Sequence, residues 1–63
     1  MMADEKKVLR LLKTARGQMD GIIKMVEENR YCIDISQQLM ATEAILNRAN
    51  KEILAAHLKH CVQ

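Results

Sequence analysis

A chain of 63 residues has room for one small domain, and such short chains often need a metal, disulfides or a partner copy to be stable. It is 49% apolar but has no Pro, Phe or Trp and a single Tyr, which suits aliphatic helix seams rather than a sandwich or barrel. The net charge of +2 does not by itself argue for nucleic acid, no apolar run approaches the ~20 residues of a membrane span, and the charged start MMADEKKV is unlike a secretory signal. The expected location is the cytoplasm, where two cysteines suit ligand or redox chemistry better than a structural disulfide.

The first predicted element is an amphipathic helix over about residues 4–28. Val8, Leu11, Leu12, Ala15, Met19, Ile22, Ile23 and Val26 recur at three- and four-residue steps, and Asp4 and Glu5 suit its start. Gly17 and Gly21 lie inside it, each costing ~1 kcal/mol relative to Ala, which points to close approach of another helix or of a partner's backbone. Asn29, in ENRYC, suits the left-handed conformation that ends a helix. A second helix follows over about residues 33–61. Its expected start is near Asp34, with Gln37 completing a capping box. Ile35, Leu39, Thr42, Leu46, Ala49, Ile53 and Ala56 form its main stripe, and Ile45, Leu54 and Leu58 widen the apolar surface. The fold class is therefore all-α: one domain over 1–63, an antiparallel helical hairpin that dimerises into a four-helix bundle.

Cys32, His57 and Cys61 are the candidate metal ligands. His57 and Cys61 share one face of the second helix, four residues apart. Cys32 lies at its other end, on the order of 35–40 Å away at ~1.5 Å rise per residue. One chain can neither close that site nor form a Cys32–Cys61 disulfide, whereas two antiparallel copies of the helix would bring the three residues together twice. Two thiolates and an imidazole suit three-coordinate Cu(I); Zn(II) would need a fourth ligand, which His60 or water could supply. His60 is otherwise expected to be exposed. Spacing alone leaves open that these are ordinary buried or surface side chains. Tyr31 either packs at the turn or bonds the free nitrogen of the ligand imidazole.

Lys6, Arg10, Lys13 and Arg16 are expected on the side of the first helix away from Val8, Leu11, Leu12 and Ala15, and Arg48 and Lys51 add charge on the second. In a single hairpin these read as a solvated face. In a symmetric assembly the repeated patch could follow DNA phosphates. Neither an acid–base pair in an evident pocket nor a phosphate-binding Gly loop is present, so an enzyme is not expected.

The run RLLKTARGQMDGI, the turn MVEENRYCIDI, the segment QQLMATEAIL and HLKHC together resemble the copper-sensing and nickel-sensing repressor family, CsoR/RcnR, over nearly the whole chain. The resemblance implies helical homodimers that pair into tetramers and repress operons by binding operator DNA, with effector binding weakening that affinity. Cys32, His57 and Cys61 match the copper-sensing branch, which implies Cu(I) as effector, and Tyr31 matches the position beside the ligands. A thiol- or sulfur-responsive repressor, a repressor for another metal, and a helical metal buffer without DNA function are the alternatives. Family members usually continue into a third helix bearing a glutamate near the ligands, and often carry Arg where this chain has Leu11. With the sequence ending at Gln63, the expectation is either a truncated chain or a tetramer and switch built differently.

Overall fold

The computed structural model describes residues 4–60, with side chains through Leu58. They form two helices, α1 (Glu5–Glu27) and α2 (Cys32–His60), packed as an antiparallel hairpin of 50 × 18 × 11 Å. No strand occurs among the described residues, and neither helix is long and apolar enough to cross a membrane.

Local chemistry sets the ends of α1. The Asp4 carboxylate accepts a hydrogen bond from the Lys7 N–H at 3.2 Å, and Glu5 adds negative charge to the first turn. At the other end Asn29 takes φ 56°. The Asn29 N–H then donates to Val26 O and the Arg30 N–H to Met25 O, both at 3.0 Å, which makes a Schellman stop. An amide side chain tolerates this backbone region better than most residues, and Asn29 occupies the place expected of it.

α2 begins at Cys32, two residues before the expected start. The Ile35 N–H donates to Tyr31 O at 3.2 Å, closing the first helical bond directly after the turn. No Gly or Pro interrupts Tyr31–Ile33, and each residue added to an existing turn gains a bond, so the helix extends back to the stop. Asp34 therefore adds negative charge within the first turn instead of capping it, and among the described residues it forms no capping box with Gln37.

The seam between the helices is a heptad pattern on both sides. Val8, Leu11, Ala15 and Ile22 of α1 are buried, with Gln18 and Met25 half-buried at the intervening positions. From α2, Thr42 and Ala49 are buried, while Ile35, Gln38, Ile45, Glu52 and Ala56 are half-buried. The stripe expected on α2 is thus rotated. Ile45 lies in the seam, whereas Leu39, Leu46 and Ile53 lie outside it at 46%, 41% and 38% exposure. Apolar residues occupy several sides of α2, so periodicity alone did not settle which side would meet α1.

Leu12, Met19 and Val26 on α1, and Leu39, Leu46 and Ile53 on α2, each occupy the heptad position next to the seam. In an antiparallel pair these two flanks fall on the same side. The hairpin consequently carries one exposed apolar face running along both helices, to which Ile23 also contributes.

Candidate functional site

Cys32 is the first residue of α2 and is exposed. Seven-residue steps lead from it through Leu39 and Leu46 to Ile53 along the flank of the helix. His57, one turn beyond Ile53, is exposed on the same side. The thiol and the imidazole thus stand at opposite ends of one apolar stripe, about 37 Å apart along the axis. Among the described residues no three His, Cys, Asp or Glu side chains gather into a metal-binding group. Cys61 and the side chain of His60, the remaining candidates at this end, lie outside the described residues.

Tyr31 precedes α2 and is 66% exposed, so it does not pack at the turn within the hairpin. The phenol lies beside Cys32 in sequence and far along α2 from the same chain's His57. Contact with an imidazole could come only from another copy.

The charged candidates are distributed along the hairpin in a definite order. Lys6, Arg10 and Lys13 are exposed and, with Leu9 and Thr14, line one shallow groove on α1. Arg16 is exposed but lies outside that lining, nearer the apolar flank. Among the described residues, two polar side-chain contacts between the helices show how α2 stands against α1. Lys7 Nζ pairs with Glu52 at 2.8 Å, and the Thr42 hydroxyl donates to Gln18 Oε1 at 2.8 Å. Each step up α1 is matched by a step down α2, which places the exposed Arg48 and Lys51 level with Leu9–Leu12. The structure therefore gathers Lys6, Arg10, Lys13, Arg48 and Lys51 toward the end of the hairpin away from the turn. Lys7 belongs to the same end, with its charge directed at Glu52.

Gly17 and Gly21 are not close-approach positions within the chain. A Cβ built on either would meet nothing within 4 Å outside the local helix backbone. The polar contacts that do join the helices, Gln18–Thr42 and Lys7–Glu52, were not among the expected functional residues. The available signal was a threonine and a glutamine at heptad positions otherwise held by aliphatic residues.

The donor chemistry at the two ends of α2 suits a soft or borderline metal ion, since a thiolate and a neutral imidazole both prefer Cu(I) or Zn(II) to hard cations. The basic end offers charges to an anionic partner.

Comparison with known proteins brings these surfaces together. Residues 4–63 match the family model described as metal-sensitive transcriptional repressor. The chain is 48% identical to the copper-sensing transcriptional repressor CsoR of Mycobacterium ulcerans over 95% of its own length and 52% of that protein's. It is 41% identical to the CsoR of Mycobacterium tuberculosis strain H37Rv, covering 97% of this chain and 51% of that protein. For the CsoR of Bacillus subtilis the identity is 37%, over 94% of this chain and 58% of the relative. The chain thus spans a little over half the length of these relatives. With its helical hairpin and a family match over almost all of its residues, the chain belongs to the metal-sensitive transcriptional repressor family.

Proposed function

We propose that this chain forms the sensing and DNA-binding part of a cytoplasmic, Cu(I)-responsive transcriptional repressor. The observation that carries the reading is the placement of Cys32 and His57 on one exposed apolar side of α2, at its two ends. A second copy laid antiparallel on that side covers Leu39, Leu46 and Ile53. It also brings the Cys32 of each subunit to the His57 and Cys61 of the other, giving two equivalent sites per dimer. A dimer is the minimum unit and a tetramer of two dimers the expected assembly. Two sulfurs and a nitrogen complete a three-coordinate Cu(I) set, with Zn(II) as the alternative metal. Tyr31 of one subunit would lie at the same junction and could hold the imidazole of the other in orientation. The relatives named as copper-sensing repressors support the choice of copper.

Lys6, Arg10, Lys13 and Arg16, with Arg48 and Lys51, are the proposed phosphate contacts. In the apo state the repeated basic ends would bind operator DNA. Metal at the subunit junction would fix the His57 end of α2 against its partner and bias the assembly toward a state with weaker DNA affinity. A useful switch needs a coupling of about 1–3 kcal/mol between the two binding events.

The test is an anaerobic Cu(I) titration of the protein on a labelled duplex from the region upstream of its own gene, read by fluorescence anisotropy. Release of the duplex near one Cu(I) per subunit is expected. DNA affinity indifferent to stoichiometric Cu(I) overturns the reading. Release by Zn(II) alone would assign the site to zinc, and release by a persulfide donor alone would assign it to thiol chemistry. Metal binding without any affinity for DNA would identify a buffer.

A further inference from the structure

We propose that Gln18 and Thr42 are positioning residues that decide which side of α2 faces α1, and so keep the Cys32–His57 side free for a second copy. The functional consequence rests on the dimer reading above, but the orientation itself can be measured within one hairpin.

α2 offers α1 two sides. One carries Ile35, Gln38, Thr42, Ile45, Ala49, Glu52 and Ala56, and the other carries Leu39, Leu46 and Ile53. Burial of apolar area favours the second, whose side chains are larger and wholly aliphatic. The hairpin nevertheless adopts the first. On α1, Gln18 lies on the side that the hairpin buries, between Ala15 and Ile22.

Gln18 penalises the alternative and Thr42 stabilises the observed arrangement. In the structure Thr42 is 3% exposed, and its hydroxyl donates to Gln18 Oε1 at 2.8 Å. The same hydroxyl lies 3.2 Å from Gln38 O, a local acceptor of its own helix, so its single proton has two possible partners and Gln18 holds the shorter contact. A rotation of α2 that centred Leu39 and Leu46 on α1 would set the Gln18 amide between the two leucines and carry Thr42 to the edge of the contact, out of line for the 2.8 Å bond. A buried polar residue that fixes helix orientation at the expense of apolar contact is an established device of helix seams. Lys7–Glu52 acts in the same sense at the open end, but it is a half-exposed ion pair and so a weaker constraint.

The test is the double variant Gln18→Leu/Thr42→Val, with Thr42→Ser as the conservative control. Methyl NOEs, filtered for intrachain contacts, read the orientation of α2 directly. Sedimentation equilibrium reads self-association. In the double variant, NOEs from Leu39 and Leu46 to Ala15 and Ile22 are expected, with helix content and urea midpoint no lower than in the parent protein. Its self-association should weaken by about tenfold or more, the size expected when a shared apolar face is partly consumed within each chain. Thr42→Ser keeps the hydroxyl and should match the parent protein in both readouts. An unchanged NOE pattern in the double variant overturns the proposal. So does loss of helix content, because two apolar replacements cannot unfold the seam if the pair serves only to orient it. Should the parent protein remain monomeric at all concentrations, the dimer reading fails by itself, and the NOE pattern still judges the orientation.

Discussion

At the scale of single residues, Asn29 and Asp4 show how little is needed to define the hairpin. Asn29 has φ 56°, where an L side chain with a Cβ is crowded by the following carbonyl and an amide is tolerated. Replacing it with Ala should lower the unfolding free energy by about 1 kcal/mol, while Asn29→Gly should stay within about 0.5 kcal/mol of the parent. Urea denaturation at one fixed protein concentration checks both, since association contributes to apparent stability. Asp4→Ala removes the acceptor for the Lys7 N–H and should cost about 0.5–1 kcal/mol in the same assay. The one-proton choice of Thr42, between Gln18 and Gln38, is the least conspicuous of these local features and the one with the widest reach across the seam.

At the scale of the elements, α1 and α2 differ in how strongly their sequences commit them. Gly17 and Gly21 weaken α1 without relieving any crowding inside the hairpin. Gly17→Ala and Gly21→Ala should each stabilise the isolated hairpin by up to about 1 kcal/mol. If either also impairs DNA binding or assembly, the glycine serves a partner surface, and paired urea and anisotropy measurements separate the two effects. The basic end of α1 makes a different prediction. Removing Arg10 and Lys13 together should leave helicity unchanged and reduce the slope of log affinity against log salt by about 2 for each subunit that contacts the DNA, because each phosphate contact contributes roughly 0.9. An unchanged slope would remove these side chains from the DNA-contacting set.

Much of this was readable from the chain. The stop at Asn29 and the start at Asp4 follow from local chemistry, the 3.6-residue period finds Val8, Leu11, Ala15 and Ile22, and the helix rise alone keeps Cys32 away from His57, whereas Leu12, Met19, Ile23 and Val26 of the same expected stripe lie outside the seam. The orientation of α2 was not readable. Leu39, Leu46 and Ile53 look like core by period and size, but they lie outside the seam, while Thr42 and Ala49 are buried within it. Helical patterning reports that a side is apolar, not which neighbour covers it. The start of α2 was placed too late because Asp34 resembles a cap, whereas continuation of the helix to the edge of the turn was more favourable. The level of Arg48 and Lys51 beside α1 needed the packing register, which sequence spacing within a single helix does not contain.

At the scale of the whole molecule, the proposed metal site makes two damaged chains better than either one. Cys32→Ser and His57→Ala should each abolish high-affinity Cu(I) binding as homodimers. Mixed dimers of the two variants carry one junction lacking both residues and one with Cys32 and His57 intact, so refolding them together should restore one site per mixed dimer. Cu(I) binding measured by competition with a chromophoric chelator checks this, and absence of restored binding after confirmed subunit exchange would overturn the shared Cys32–His57 site. The four-residue connection at Glu28–Tyr31 has a consequence of another kind, in time. It tethers α1 to α2 at short range, so hairpin closure is unimolecular and belongs to the microsecond-to-millisecond range of helical proteins, whereas docking of two hairpins is second order. Refolding should therefore separate into a fast phase indifferent to dilution and a slower one that slows as the protein is diluted. For a regulator present at few copies, the interval between synthesis and competence would then be governed by encounter between subunits.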